Sequence, residues 1–97
     1  MWVLRTADAA EFPVTFRLLP GNIKTIGRAT RADFIVDAPL VSRLHCRLSA
    51  GAAELEVVDL DSTNGTFVNG ERVERALLKL GDRLGIGRVE LVISSGD

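Results

Sequence analysis

Cysteine, histidine and long apolar runs are nearly missing from this chain. The single cysteine, Cys46, cannot close an internal disulfide, and the single histidine, His45, cannot supply a structural zinc site, which takes three or four Cys and His ligands. A disulfide scaffold and a zinc module are excluded, and no metal or other cofactor is expected. No apolar stretch approaches the ~18 residues of a membrane-spanning helix. The opening Met1-Trp2-Val3-Leu4-Arg5-Thr6 lacks the long apolar region of a secretion signal. The expectation is a soluble protein of the reducing cytoplasm, with no membrane partner. An excess of charge of one sign is missing too. Twelve basic residues face thirteen acidic ones, for a formal charge of -1, which is far from the basic footprint of a nucleic-acid binder. No nucleic-acid partner is expected.

What is present is enough for one core. Ninety-seven residues, 46% of them apolar and 26% charged, match a single globular domain and exclude disorder. Any function must fit on that one scaffold, residues 1–97, with Ser94-Ser95-Gly96-Asp97 read as a polar tail.

The patterning is that of short strands. Val14-Thr15-Phe16-Arg17-Leu18, Leu55-Glu56-Val57 and Val89-Glu90-Leu91-Val92-Ile93 alternate apolar with polar, and Leu44, Cys46 and Leu48 repeat the same period of two. Further strands are expected over 2–6, 23–26, 33–36, 67–69 and 83–86. Turn signals separate them at Pro20-Gly21-Asn22, Ala38-Pro39, Ala50-Gly51, Asn64-Gly65, Asn69-Gly70 and Gly81-Asp82. Between Gly70 and Gly81 the run 71–80 is the longest helical candidate. The β-branched Val73 and the short span reduce it to a turn or a short hairpin. About ten short strands in one chain close into a barrel or stack as two sheets, and the many edges favour an all-β sandwich.

Three clusters carry chemistry. Gly27-Arg28 follows one strand, Ser42-Arg43-Leu44-His45 enters the next clear one, and Asp61-Ser62-Thr63-Asn64-Gly65-Thr66 forms a loop. Each has an ordinary explanation alone: a turn glycine and a solvated arginine, a serine bonded to local backbone beside a structural histidine, two hairpin turns at Asn-Gly. Together they hold what a phosphate dianion requires. Arginine offers a two-pronged, charge-assisted contact, while hydroxyls and loop amides complete the oxygen shell. No Gly-Lys-Ser or Gly-Lys-Thr of a nucleotide-phosphate loop is present, so the phosphate is expected on a protein.

The ordered set Gly-Arg, then Ser-Arg-x-His, then Ser-Thr-Asn-Gly-Thr with a second Asn-Gly resembles the forkhead-associated (FHA) domain family over essentially the whole chain. The resemblance implies an eleven-stranded β-sandwich of two antiparallel-type sheets, with loops at one end that bind phosphothreonine in partner proteins of Ser/Thr kinase signalling. It also implies roles. Arg28 and Ser42 correspond to phosphate contacts, Arg43 adds a donor, and Thr63 closes over the phosphate and the threonine methyl. Asn64 holds the peptide main chain. Gly27 permits a turn, His45 braces the binding loops and Asn69 pins a neighbouring loop. Leu40, with Val41, makes the approach to the third residue after phosphothreonine apolar, unless Leu40 faces the core.

Other readings are a phosphate-independent interaction or assembly module on the same fold, and a hydrolase built on Ser42, His45 and Asp59 or Asp61. The hydrolase lacks any sign of an oxyanion site, so no enzyme is expected. A calcium loop over 59–70 fails because position twelve is Gly70 where a bidentate Glu is required. One geometric difficulty stands: Arg28 and Ser42 flank a short strand, and strand parity alone places them ~13 Å apart, at opposite ends of it.

Overall fold

The alternation that marks the sequence becomes the two inner faces of a sandwich. The structure, a computed structural model, describes residues 1–7 and 13–96. Among the described residues there are eleven strands and no helix: β1 (Trp2–Thr6), β2 (Thr15–Leu18), β3 (Ile23–Gly27), β4 (Phe34–Ile35), β5 (Cys46–Ala50), β6 (Leu55–Asp59), β7 (Thr66–Val68), β8 (Glu71–Val73), β9 (Arg75–Leu78), β10 (Arg83–Ile86) and β11 (Val89–Ser95). Six form one sheet, in the order β2-β1-β11-β10-β7-β8, and five the other, β4-β3-β5-β6-β9. Every other residue of a strand faces the middle: Cys46, Leu48 and Ala50 of β5, and Val89, Leu91 and Ile93 of β11, are buried in one continuous core. At one margin the rings of Phe16 in β2 and Phe34 in β4 stack at 4.4 Å, tying edge strand to edge strand across the two sheets.

The expected all-β sandwich of eleven strands is what the chain forms, with three local differences. The run 71–80 is not a turn or a single hairpin. It is split between the sheets: β8 pairs with β7 and β9 with β6, so the chain crosses the sandwich at Glu74. The expected polar tail is partly strand, because Ser94 and Ser95 pair with Val3 and Trp2 of β1; Asp97 lies outside the described residues. Finally, not every neighbour is antiparallel, since β4 runs parallel to β3 with Ile26 opposite Phe34 and Gly27 opposite Ile35.

That parallel pair resolves the parity difficulty. β4 is only two residues long and ends level with Gly27, so the chain does not travel the length of the sheet between Arg28 and Ser42. The segment after β4 then turns back antiparallel to β3 and extends its ladder. The amides of Arg28 and Ala29 donate to the carbonyls of Ser42 and Arg43 at 3.0 and 3.1 Å, and the His45 amide donates to Ile26 at 2.8 Å. Arg28 and Ser42 are therefore backbone neighbours at one end of the sandwich.

Candidate functional site

Gly27 makes this meeting of strands physically possible. Its φ lies outside the left-handed region, so it is not there to permit a turn as expected. A Cβ on it would sit 2.0 Å from the Arg43 carbonyl oxygen, and only glycine lets the two backbones close to hydrogen-bonding distance. Arg28 is thereby held beside the 41–43 segment, where its Nε donates to the Val41 carbonyl at 3.1 Å. With Nε anchored, the two terminal nitrogens of the exposed guanidinium bond no described residue. The arginine presents a preset fork outward.

Ser42 joins this loop to the next. Its Oγ accepts the Thr63 amide hydrogen at 3.0 Å, which leaves the hydroxyl hydrogen free to donate outward. Asn64 adds a second tie: its Nδ2 donates to the Leu40 carbonyl at 3.1 Å, and its Oδ1 bonds no described residue. Thr63, Asn64 and Arg43 are all exposed around this junction, and no described acid pairs with Arg28 or Arg43.

Beneath the junction, His45 is fully buried and bonded through both ring nitrogens. Nδ1 accepts the Ser42 amide hydrogen at 3.0 Å, so the ring is neutral with its proton on Nε2, and Nε2–H donates to the Gly65 carbonyl at 2.8 Å. The imidazole thus clamps the start of β5 to the start of β7. These bonds also dispose of the Ser-His hydrolase arrangement, because neither ring nitrogen meets the Ser42 hydroxyl or an acid.

The loop from 60 to 65 is shaped by a group that the sequence reading weighed only as a hydrolase acid or a calcium ligand. The Asp59 carboxylate accepts from the Ser62 hydroxyl at 2.5 Å, the Thr66 hydroxyl at 2.6 Å and the Ser62 amide at 3.1 Å; the Ser62 Oγ in turn accepts from the Gly65 amide at 3.0 Å. Partial burial pushes the Asp59 carboxyl up. The bonds from Ser62 and Thr66 outweigh that and hold it below the usual carboxylate range. Gly65 closes the loop at φ 91°. The Asp-x-x-Ser spacing is the available sequence signal, an Asp side chain capping the backbone three residues on. Ser62 and Thr66 are buried supports rather than ligands.

The remaining expected residues fall as follows. Leu40 is exposed and takes a left-handed backbone, φ 71°, whereas Val41 is buried in the core, so of the two only Leu40 presents an apolar surface to solvent. Asn69 is not brought to this cluster. It lies at the far end of β7, where its Oδ1 accepts from the Arg83 amide and its Nδ2 donates to Asp82, pinning the turn before β10. Cys46 packs inward, and burial, reinforced by the Asp59 charge, pushes its thiol up to about 12, which leaves it inert as a nucleophile or ligand.

A two-sheet sandwich that gathers a forked arginine, a serine hydroxyl, a threonine and an asparagine on three bonded loops belongs to the class of recognition modules for a charged, oxygen-rich group. The comparisons narrow the class to a family. The sequence model of the FHA domain matches residues 24–87, and the chain belongs to the FHA domain family. It is 43% identical over 83 residues to the ABC transporter ATP-binding/permease protein Rv1747 of Mycobacterium tuberculosis, covering 86% of this chain and 10% of that one. It is 39% identical over 79 residues to the glycogen accumulation regulator GarA of Mycolicibacterium smegmatis, covering 81% of this chain and 50% of that protein. The chain therefore spans half or less of the length of these relatives. Among solved structures, an FHA domain studied for phosphothreonine-dependent interactions superposes with a TM-score of 0.87 at 30% identity, over 99% of this chain and 97% of the other.

Proposed function

We propose that this domain binds phosphothreonine in partner proteins and so acts as a phosphorylation-dependent interaction module in Ser/Thr kinase signalling, not as an enzyme. The observation that carries the reading is the outward fork of Arg28 beside the Ser42 hydroxyl, each already held by a backbone bond. Pre-set donors lose little freedom on meeting a phosphate, and the guanidinium matches its oxygens in pairs. Arg43 adds charge at the rim, and Thr63, exposed and tied through its amide to Ser42, would cover the phosphate and the threonine methyl. The free Oδ1 and remaining N–H of Asn64 address the peptide main chain. The unpaired buried thiol fits the reducing cytoplasm as the working compartment.

Calorimetric titration with one peptide in three forms tests this: phosphothreonine, threonine and glutamate. A carboxylate offers one charge and two oxygens against about -1.5 to -2 charges and three acceptor oxygens for the phosphate. Binding by the phosphothreonine form alone is expected. Equal binding by all three forms would replace this reading with the phosphate-independent assembly module.

A further inference from the structure

The Pro39-Leu40 turn is held from two sides. Its ends are fixed in the core, since Ala38 and Val41 are buried and the Val41 amide donates to the Ala38 carbonyl at 3.4 Å. Between them Leu40 takes φ 71°, at a turn position after proline where glycine is the usual residue. Such a backbone persists only where its surroundings over-determine it. One neighbour is Asn64, whose Nδ2 donates to the Leu40 carbonyl. The other comes from the six-stranded sheet, in the two-residue turn between β10 and β11. A Cβ on Gly87 would sit 3.0 Å from the Leu40 carbonyl carbon and the Pro39 oxygen, and 3.2 Å from the Leu40 oxygen. These are backbone atoms of a turn anchored at both ends, which cannot swing aside as a flexible side chain does.

We propose that Gly87 is a positioning residue of the phosphothreonine site. The proposal rests on the phosphothreonine reading and adds a fourth loop to it: by leaving room for the Leu40 peptide, Gly87 fixes where the Leu40 side chain emerges and where its carbonyl meets Asn64. A glycine at φ 57° also suits a tight hairpin, so backbone freedom and close approach have to be separated. Asparagine separates them, because it accepts such a φ readily and brings a Cβ. Gly21 supplies the control. It has a positive φ, open space where a Cβ would go, and a place before β3, whose other end leads into Arg28.

The test compares wild type, Gly87→Asn and Gly21→Asn by thermal melt, by calorimetry with one phosphothreonine peptide, and by a phosphothreonine library scanned at the third following position. Gly87→Ala, which brings the same Cβ, serves if Gly87→Asn does not fold. Expected is a Gly87→Asn domain that is folded, binds the peptide about tenfold more weakly and has an altered third-position profile, while Gly21→Asn binds as wild type does. If Gly87 acts through the Leu40 carbonyl, its effect should be non-additive with Asn64→Ala, and adding Gly87→Asn to that variant should cost no more than about twofold. Affinity and profile unchanged from a wild type that binds would overturn the proposal alone, as would a full tenfold loss in the Asn64→Ala background. A wild type that binds no phosphothreonine peptide would overturn the phosphothreonine reading and this proposal together.

Discussion

The Thr63 amide donates to the Ser42 hydroxyl at 3.0 Å, so two loops separated by 21 residues in sequence share one bond. Because the serine oxygen accepts from Thr63, its own hydrogen is left free to donate. One hydroxyl therefore sets both the spacing of the loops and the donor offered to ligand.

Ser42→Ala removes both bonds at once, while Arg28→Ala removes the fork. Each variant is expected to lose phosphopeptide affinity by a factor of about ten to a hundred, the range for a charge-assisted bond of about 1.5 to 3 kcal/mol. Both side chains meet solvent, so melting temperatures should move little. Arg28→Lys should fall between wild type and alanine, since it keeps the charge but cannot hold the Val41 carbonyl and face a phosphate with two prongs. Calorimetry on folded variants decides; unchanged affinity in both alanine variants would refute the phosphate roles.

His45→Ala should act differently, through stability as well as binding. The imidazole is fully buried, and its loss strands the Ser42 amide and the Gly65 carbonyl without partners. An orphaned buried group costs about 1 to 3 kcal/mol, and each kcal/mol lowers the midpoint of a domain this size by about 4 to 8 °C. A melt that superposes on wild type would refute the bracing role, whatever happens to affinity.

How much of this was legible in the chain depends on the range of the interaction. Period-two alternation reports a residue's own face, so the strands around Leu48, Val57 and Leu91 could be read directly. The split of 71–80 between sheets could not, because both halves present similar short patterns and the crossing at Glu74 is decided by which neighbour each half pairs with. Arg28, Ser42, Thr63 and Asn64 could be singled out by type and order. Their convergence required the two-residue parallel β4, a pairing no local pattern announces. Gly27 carried the commonest misreading: a glycine after a strand reads as a turn, whereas here it admits the Arg43 carbonyl.

Acid should loosen the binding end through Asp59. Its folded carboxyl is held below the ordinary range by Ser62 and Thr66, so the charged form is favoured by folding. The sign follows from linkage: this contribution is fully present above the unfolded value of about 3.9 and is lost as pH falls through the lower folded value. Asp59→Asn should therefore destabilise the protein at neutral pH and flatten its stability profile below about pH 4. Asp33, lowered chiefly by the Thr25 amide, should leave a residual acid dependence in the variant. Chemical denaturation across pH is the measurement. A variant whose profile parallels wild type at every pH would show that Asp59 is not the titrating support.

Leu40 carries the last expectation, which concerns selectivity. Its side chain is 48% exposed beside the loop that holds Ser42, and its carbonyl is tied to Asn64, the residue assigned to the peptide main chain. A left-handed backbone is costly for leucine, on the order of 1 to 3 kcal/mol, so an aliphatic group held out to solvent there calls for a use. An aliphatic residue three places after phosphothreonine lies about 10 Å along an extended peptide, and burying it against Leu40 is worth about 1 to 2 kcal/mol. A phosphothreonine library scanned at that position should enrich Leu, Ile and Val. Leu40→Asn is the informative variant, since asparagine accepts φ 71° readily and removes only the apolar surface. It should keep phosphate affinity and lose the aliphatic preference. Enrichment of Asp by the wild-type domain, or an identical profile from Leu40→Asn, would show that selectivity is set elsewhere.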